Sequence, residues 1–135
     1  MKTLKRTLTI AIMVALVSCA TTVKFPVSQI APAAEGQAKI KQDRNENYKI
    51  ELSVKHLAEP ERLNPPSNQY IVWTLDENGS YQNIGRLVPD RRNSASLDAT
   101  TPFRPVQILI TAESQGNPTW PGRQILFRSE NFNAR

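Results

Sequence analysis

Short stretches in which apolar and polar residues alternate recur along this chain and predict a protein built from β-strands. The clearest alternation covers residues 48–57, where Tyr48, Ile50, Leu52 and Val54 are separated by single polar residues. A period of two places one set of side chains in a core and the other in water. We therefore predict a strand here, and its apolar side defines the direction of the core.

A β-hairpin is predicted over residues 70–87. Six β-favouring residues lead into a turn that contains Asn78 and Gly79, and a second apolar strand follows. Asn-Gly between apolar runs is a strong hairpin signal, because a tight turn requires a positive φ that both residues tolerate. Apolar residues occupy both sides of the first strand, with Trp73 on one side and Val72 on the other. This pattern predicts a central strand that is covered on both faces.

The remaining apolar runs are short, and turn residues separate them. Pro60, Pro65 and Pro66 exclude a central strand from the connection before the hairpin, where Leu63 is expected to close onto the core. No segment shows a sustained helical period. Further strands are predicted at residues 38–41, 94–99, 106–112 and 124–128.

Six to eight short strands of this kind predict an all-β fold, a small antiparallel β-sandwich of immunoglobulin-like type. We place this domain at residues 38–128. Residues 129–135 are predicted to form a frayed C-terminal tail.

The N-terminal residues resemble the signal of a bacterial lipoprotein. A basic head is followed by an uncharged apolar run at residues 8–17, which is too short to span a bilayer as a mature helix. The run ends in Leu16, Val17 and Ser18, directly before Cys19, the only cysteine of the chain. The resemblance implies removal of residues 1–18 and acylation of Cys19 with a diacylglycerol and a fatty acid such as palmitate. An ordinary secretory signal and an uncleaved anchor are the alternatives.

Residues 19–37 are predicted to be a flexible tether between this anchor and the domain, because Pro26 and Pro32 interrupt any regular element. Ala20 follows the cysteine, and no acidic cluster does, which resembles the pattern of outer-membrane sorting. The expected location is the bacterial cell envelope, anchored by lipid in the outer membrane and facing the periplasm.

The net charge gives little support to nucleic-acid binding. The whole chain carries +5, but residues 1–18 contain three basic residues and no acidic one, so the mature chain is near +2. Nucleic-acid binding requires a clustered basic face. We therefore expect no nucleic-acid partner.

A second resemblance covers residues 38–127. The run from Tyr70 to Trp73, the run from Ile108 to Glu113, and the Asn-Pro-Thr sequence ending at Thr119 are similar to the extracytoplasmic C-terminal domain of anti-sigma-K-type factors. The resemblance implies an extracytoplasmic β-domain without catalytic residues. The sigma-binding domain and the membrane helix of that family have no counterpart here, so no direct contact with a sigma factor is expected.

Candidate catalytic and metal-binding residues are few. His56 is the only histidine, and Ser53 and Glu51 are its near neighbours, but a catalytic triad is defined by geometry, and a half-buried histidine at a strand end is the preferred interpretation. Zinc requires about four ligands, which one histidine and an acylated cysteine do not supply. Asp76 and Glu77 lack the spacing of a calcium loop and are read as turn residues. We expect no cofactor, no metal and no enzymatic activity.

Trp120 is the main candidate for contact with a partner. It lies between prolines in a loop, where it either stacks on a sugar or a partner protein or, as we prefer from sequence, folds back onto the core. Arg91 and Arg92 could form an anion-binding patch with Arg104 and Arg123 if their loops converge.

The leading hypothesis is a non-enzymatic, lipid-anchored module that has a structural or protein-interaction role. A ligand-sensing or carbohydrate-binding module of the periplasm is the alternative, and a small hydrolase is the third.

Overall fold

The computed structural model describes residues 19–135, so the predicted signal at residues 1–18 lies outside the described part. The described chain contains eight β-strands and one short 3-10 turn at Pro60–Arg62. In order, the strands are β1 (Thr21–Lys24), β2 (Glu35–Gln42), β3 (Tyr48–Lys55), β4 (Gln69–Asp76), β5 (Tyr81–Leu87), β6 (Ala95–Thr101), β7 (Pro105–Glu113) and β8 (Ile125–Arg128).

The strands form two antiparallel sheets of four. The first sheet has the order β1-β2-β3-β6, and the second has the order β5-β4-β7-β8. The chain passes between sheets after β3, β5 and β6, as it does in immunoglobulin-like sandwiches. The predicted all-β sandwich is confirmed, and β1 is an additional edge strand on the first sheet.

The core lies between the two sheets and contains the side chains that the alternating pattern predicts to be buried. In β3 the four alternating apolar side chains are all buried, and the intervening polar side chains are exposed. Leu63 is also buried, as predicted for the proline-rich connection. The largest fully buried side chains that the second sheet contributes to this core are Tyr70, Leu87, Ile108, Ile110, Leu126 and Phe127.

Strand β4 is central and covered on both faces, which confirms the prediction for this segment. Val72 points into the core between the sheets. Trp73 is 0% exposed on the opposite face, where it packs with Ile71 and Leu109. The second sheet therefore has a small apolar core on its outer side as well.

The hairpin of β4 and β5 is present, and its turn contains Asn78 and Gly79 as predicted. Only Gly79 has a positive φ, of 84°. The backbone N–H of Gly79 donates to the carbonyl of Asp76, and Asp76 N–H donates to the carbonyl of Ser80. This is a longer loop in which a type I turn is followed by one left-handed residue.

The same turn occurs three times, each time built around an aspartate. Asp43, Asp76 and Asp90 each accept two backbone N–H groups through one carboxylate oxygen, from the residues two and four positions later. The residue three positions after each aspartate has a positive φ; these residues are Glu46, Gly79 and Asn93. A short aspartate side chain can satisfy turn amides in this way because it reaches back to its own backbone.

Removal of the buried aspartate should weaken the fold more than removal of an exposed one. Asp76 is buried, so Asp76→Ala leaves two turn amides without their charged acceptor and is expected to cost about 2 kcal/mol of unfolding free energy. Asp90 makes the same hydrogen bonds at an exposed turn, and Asp90→Ala is the matched control with a clearly smaller cost. Urea denaturation of both variants measures the difference, and equal losses would contradict this account.

The prediction of a flexible tether at residues 19–37 is wrong for residues 21–37. Strand β1 pairs with β2 from Thr21 to Lys24, and Val23 is buried. Phe25 stacks on Phe127 with ring centroids 5.1 Å apart. The two prolines lie in the connection between β1 and β2, where they interrupt no strand. The sandwich therefore begins at Thr21, close to Cys19.

The prediction of a frayed tail at residues 129–135 is also wrong. Ser129 and Ala134 are buried, and the half-buried Phe132 packs against the core. Backbone hydrogen bonds connect Ser129 to Ile108 and Phe132 to Val106. The tail runs along β7 and supplies partners for backbone groups that strand β8 is too short to satisfy.

Candidate functional site

The loop at residues 114–124 crosses the outer face of the second sheet. It connects β7 with β8, yet its Pro118 carbonyl accepts a hydrogen bond of 3.3 Å from the Asn83 side chain in β5. Its Trp120 also contacts Tyr81 of β5. Strand β4 lies between β5 and β7 in this sheet, so the loop must pass over β4 on the side that carries Trp73.

A chain of hydrogen bonds fixes the returning part of this loop to the sheet. The indole N–H of Trp73 donates to Thr111 Oγ1 at 2.9 Å, and the Thr111 hydroxyl donates to Glu113 Oε1 at 2.6 Å. The backbone N–H of Gly122 donates to the same carboxylate oxygen at 2.7 Å. A Cβ at Gly122 would lie 2.7 Å from Glu113 Oε2, so a larger residue here would require the Glu113 carboxylate to shift away from the loop. Glu113 thus connects the outer core to the loop.

The proline-rich connection and the first residue of β4 together hold both ends of the same loop. The Ser67 hydroxyl donates to Gln124 Oε1 at 2.7 Å, and Gln124 Nε2 donates to the Pro65 carbonyl at 2.9 Å. Gln69 Nε2 donates to the Gln115 carbonyl. The Tyr70 hydroxyl in turn holds this connection by donating to the Ala58 carbonyl, and burial, with a smaller effect of the Glu61 charge, raises the pKa of Tyr70 to about 12.

Trp120 projects from this braced loop into solvent. It is 65% exposed, and its ring meets the ring of Tyr81 edge to face at a centroid distance of 5.2 Å. The preferred sequence interpretation, in which Trp120 folds back onto the core, is therefore wrong. Trp73 already fills the outer core, and Trp120 forms an exposed aromatic surface beside Tyr81. Such a surface can stack on a sugar ring or enter a pocket of a partner protein.

Arg91 and Arg92 lie at a different place, in the exposed turn between β5 and β6. Asp90 begins this turn, and hydrogen bonds from the Ser94 and Arg92 backbone amides hold the pKa of its carboxyl below the usual range. Arg104 follows β6 at the opposite end of the sandwich, where it contacts the C-terminal residues. Arg104 lies apart from Arg91 and Arg92, so one patch that joins all four arginines is excluded.

His56 is exposed rather than half-buried. It directly follows β3 with a φ of 55°, which breaks the alternation and turns its side chain away from the core. Leu57 takes the buried position instead, and its backbone N–H donates to the Asn93 carbonyl at 2.8 Å. Ser53 and Glu51 lie on the exposed outer face of the first sheet.

Among the clefts formed by residues 19–135, the three best defined are not lined by Trp120. They measure about 440, 370 and 310 Å³ and lie beside Phe25, Phe103 and Val88 respectively. Within residues 19–135, no three side chains of the metal-binding types lie close enough together to hold a metal ion. No helix in this same part of the chain is long and apolar enough to cross a membrane.

No protein-family model matches the sequence, and comparison with curated proteins finds no significant match.

The candidate site consists of Trp120 and Tyr81, together with the hydrogen bonds through Glu113 and Gly122 that fix the loop to the sheet. The sequence indicated Trp120 as a candidate but not Tyr81, Glu113 or Gly122. Their only sequence signal is a threonine and a glutamate two residues apart in a strand, followed after a loop by glycine.

Proposed function

We propose that this protein is a lipid-anchored protein of the bacterial cell envelope whose β-sandwich serves as a non-enzymatic, protein-interaction module. Acyl chains on Cys19 hold it to the membrane, and the outer face of the second sheet meets the partner. The lipoprotein-like sequence around Cys19 supports the anchor. The similarity to the outer domain of anti-sigma-K-type factors supports an extracytoplasmic place, which we assign to the periplasmic side of the outer membrane.

The observation that carries the interaction role is the exposure of Trp120 on a fixed loop. Tryptophan is strongly enriched among the residues that dominate binding energy at protein interfaces. Exposure of a large aromatic ring is unfavourable in the free protein, and the hydrogen bonds to Glu113, Pro118 and Gln124 hold the loop in place. A preorganised loop loses little conformational entropy when it binds. Trp120 is therefore suited to be the central anchor of an interface.

A photo-crosslinking experiment in intact cells tests this role. A photoreactive amino acid at the exposed Thr119, next to Trp120, should give a discrete protein adduct, and Trp120→Ala should reduce that adduct at least tenfold. The same photoreactive group at Ser96, exposed on the first sheet, is the positional control. Cys19→Ala should also abolish the adduct if the partner is met at the membrane. Identical adducts from both positions, or an adduct that persists in Trp120→Ala, would contradict the proposal.

A carbohydrate-binding module is the second candidate, and the pairing of Trp120 with Tyr81 favours it. The exposed Trp120 ring, against which Tyr81 packs edge to face, can stack on the apolar face of a sugar. On this reading the protein should be retained by purified cell-wall glycan, and Trp120→Ala should abolish retention. Retention that is equal for both forms, or absent for both, would exclude this candidate while the crosslinking result stands independently.

A further inference from the structure

The short distance between Cys19 and strand β1 has a consequence for how the sandwich sits on a membrane. Thr21 is already paired with Ile40 in the first sheet. Two extended residues span at most about 7 Å, so the sandwich begins within that distance of the Cys19 backbone. A lipid-anchored domain with a long tether can tumble freely, but one with Ala20 as its single linking residue cannot.

The direction of β1 decides which end of the sandwich lies near Cys19. Strand β1 runs antiparallel to β2, so the chain before Thr21 points toward Gln42 and the turn after it. The Thr21 hydroxyl donates to the Asn133 carbonyl at 3.3 Å, and Arg104 contacts both Asn133 and Ala134. The C-terminal residues therefore connect the start of β1 to the loop that follows β6.

Three connections gather at this end, which we call the anchor end. They are the β2–β3 turn at residues 43–47, the β4–β5 turn at residues 77–80, and the β6–β7 connection at residues 102–104. Their residues line one open cleft of about 370 Å³, which confirms that they lie together. Phe103 is 48% exposed in this cleft, next to the exposed Pro102.

We infer that the anchor end rests on the lipid bilayer and that Phe103 inserts among the headgroups. The inference rests on the proposed acylation of Cys19. A phenylalanine exposed at the lipid-proximal end is suited to an interfacial position, because its ring gains from partial burial among lipids. The exposed cations Arg44 and Arg135 lie at the same end as the exposed Glu46 and Glu77. The charges nearly balance, so a neutral bilayer is sufficient.

This orientation assigns roles to the two ends of the molecule. Strands β3 and β5 end at the far side of the sandwich, where Val88, Arg91 and Arg92 are exposed. These residues point away from the membrane. The loop that carries Trp120 covers the side of the second sheet, so Trp120 faces laterally along the membrane rather than into it.

A fluorophore placed at each end tests this orientation in the mature lipidated protein. Cys19 is the only natural cysteine and is blocked when acylated, so a single added cysteine can be labelled. Phe103→Cys and Asn78→Cys place the label at the anchor end, and Val88→Cys places it at the far end. Each labelled protein is reconstituted in phosphatidylcholine vesicles that contain a lipid with a quencher near its headgroup.

In vesicles that float with bound protein, the labels at 103 and 78 should lose most of their emission, and the label at 88 should keep it. The Asn78→Cys variant is the control for any structural change caused by replacing Phe103. If labels at both ends of the vesicle-bound protein emit equally, or if only the label at 88 is quenched, the proposed orientation is wrong. The lipid anchor is not contradicted by either result. Protein that does not float with the vesicles would overturn the anchor and the orientation with it.

Discussion

Trp73→Ala is expected to lower the free energy of unfolding by about 4 kcal/mol, the range measured when a large buried aromatic side chain is deleted. Trp73 is fully buried on the outer face of the second sheet, where it packs with Ile71 and Leu109. Its removal opens a cavity against Ile71 and Leu109 and leaves Thr111 without its indole donor. Both effects act on the outer core of the second sheet. Urea denaturation followed by circular dichroism measures the loss.

Trp120→Ala is the matched control for this prediction, because it deletes the same type of side chain from an exposed position. Trp120 is mostly exposed and contacts the Tyr81 ring, so its removal should change the free energy of unfolding by about 0.5 kcal/mol or less. The two tryptophan variants thus separate an effect on folding stability from an effect on partner binding. If Trp120→Ala destabilised the protein as much as Trp73→Ala, Trp120 would be a core residue and the proposed interface would lose its basis.

Removal of residues 129–135 is expected to cost about 3 kcal/mol or more of unfolding free energy, although the sequence predicted a frayed tail. The truncation exposes the surface that Phe132 and Ala134 cover. It also leaves the Ile108 backbone N–H, which lies in the centre of β7, without the Ser129 hydroxyl that accepts from it at 2.9 Å. A buried N–H without an acceptor is costly.

The exposed Asn131 provides the control within the same segment. Asn131→Ala should change the free energy of unfolding by about 0.5 kcal/mol or less, since its side chain lies in solvent. A truncated protein with unchanged stability would show that the tail contributes nothing to the core. Intermediate variants Phe132→Ala and Ser129→Ala divide the total loss between packing and hydrogen bonding.

The parts of the fold that the sequence predicted are those with a local signal. Strand β3 alternates over eight residues, and β4 carries apolar residues on both faces, so each strand shows its burial without reference to a partner. The position of the β4–β5 hairpin was predicted from Asn78 and Gly79. Its turn type was not, because the decisive contact is made by the Asp76 carboxylate, and aspartate before a turn has several possible roles.

The parts that the sequence did not predict depend on contacts between distant residues. Strand β1 has four residues, too few to show a period, and only its pairing with β2 makes it a strand. The tail is similar, because Phe132 and Ala134 are buried by β7 and neighbouring elements rather than by their own pattern. Exposure of Trp120 was missed because Trp73 occupies the outer core that Trp120 could otherwise have filled.

The central claim, an envelope protein anchored through Cys19, is tested most directly by the intact mass of the protein extracted from membranes. We expect a mature chain that begins at Cys19 and carries a diacylglycerol and one further acyl group. Cys19→Ala should lack both and should no longer fractionate as a lipid-anchored mature protein. An unmodified Cys19 thiol in the wild-type protein, or a mature chain that begins at another residue, would contradict the account.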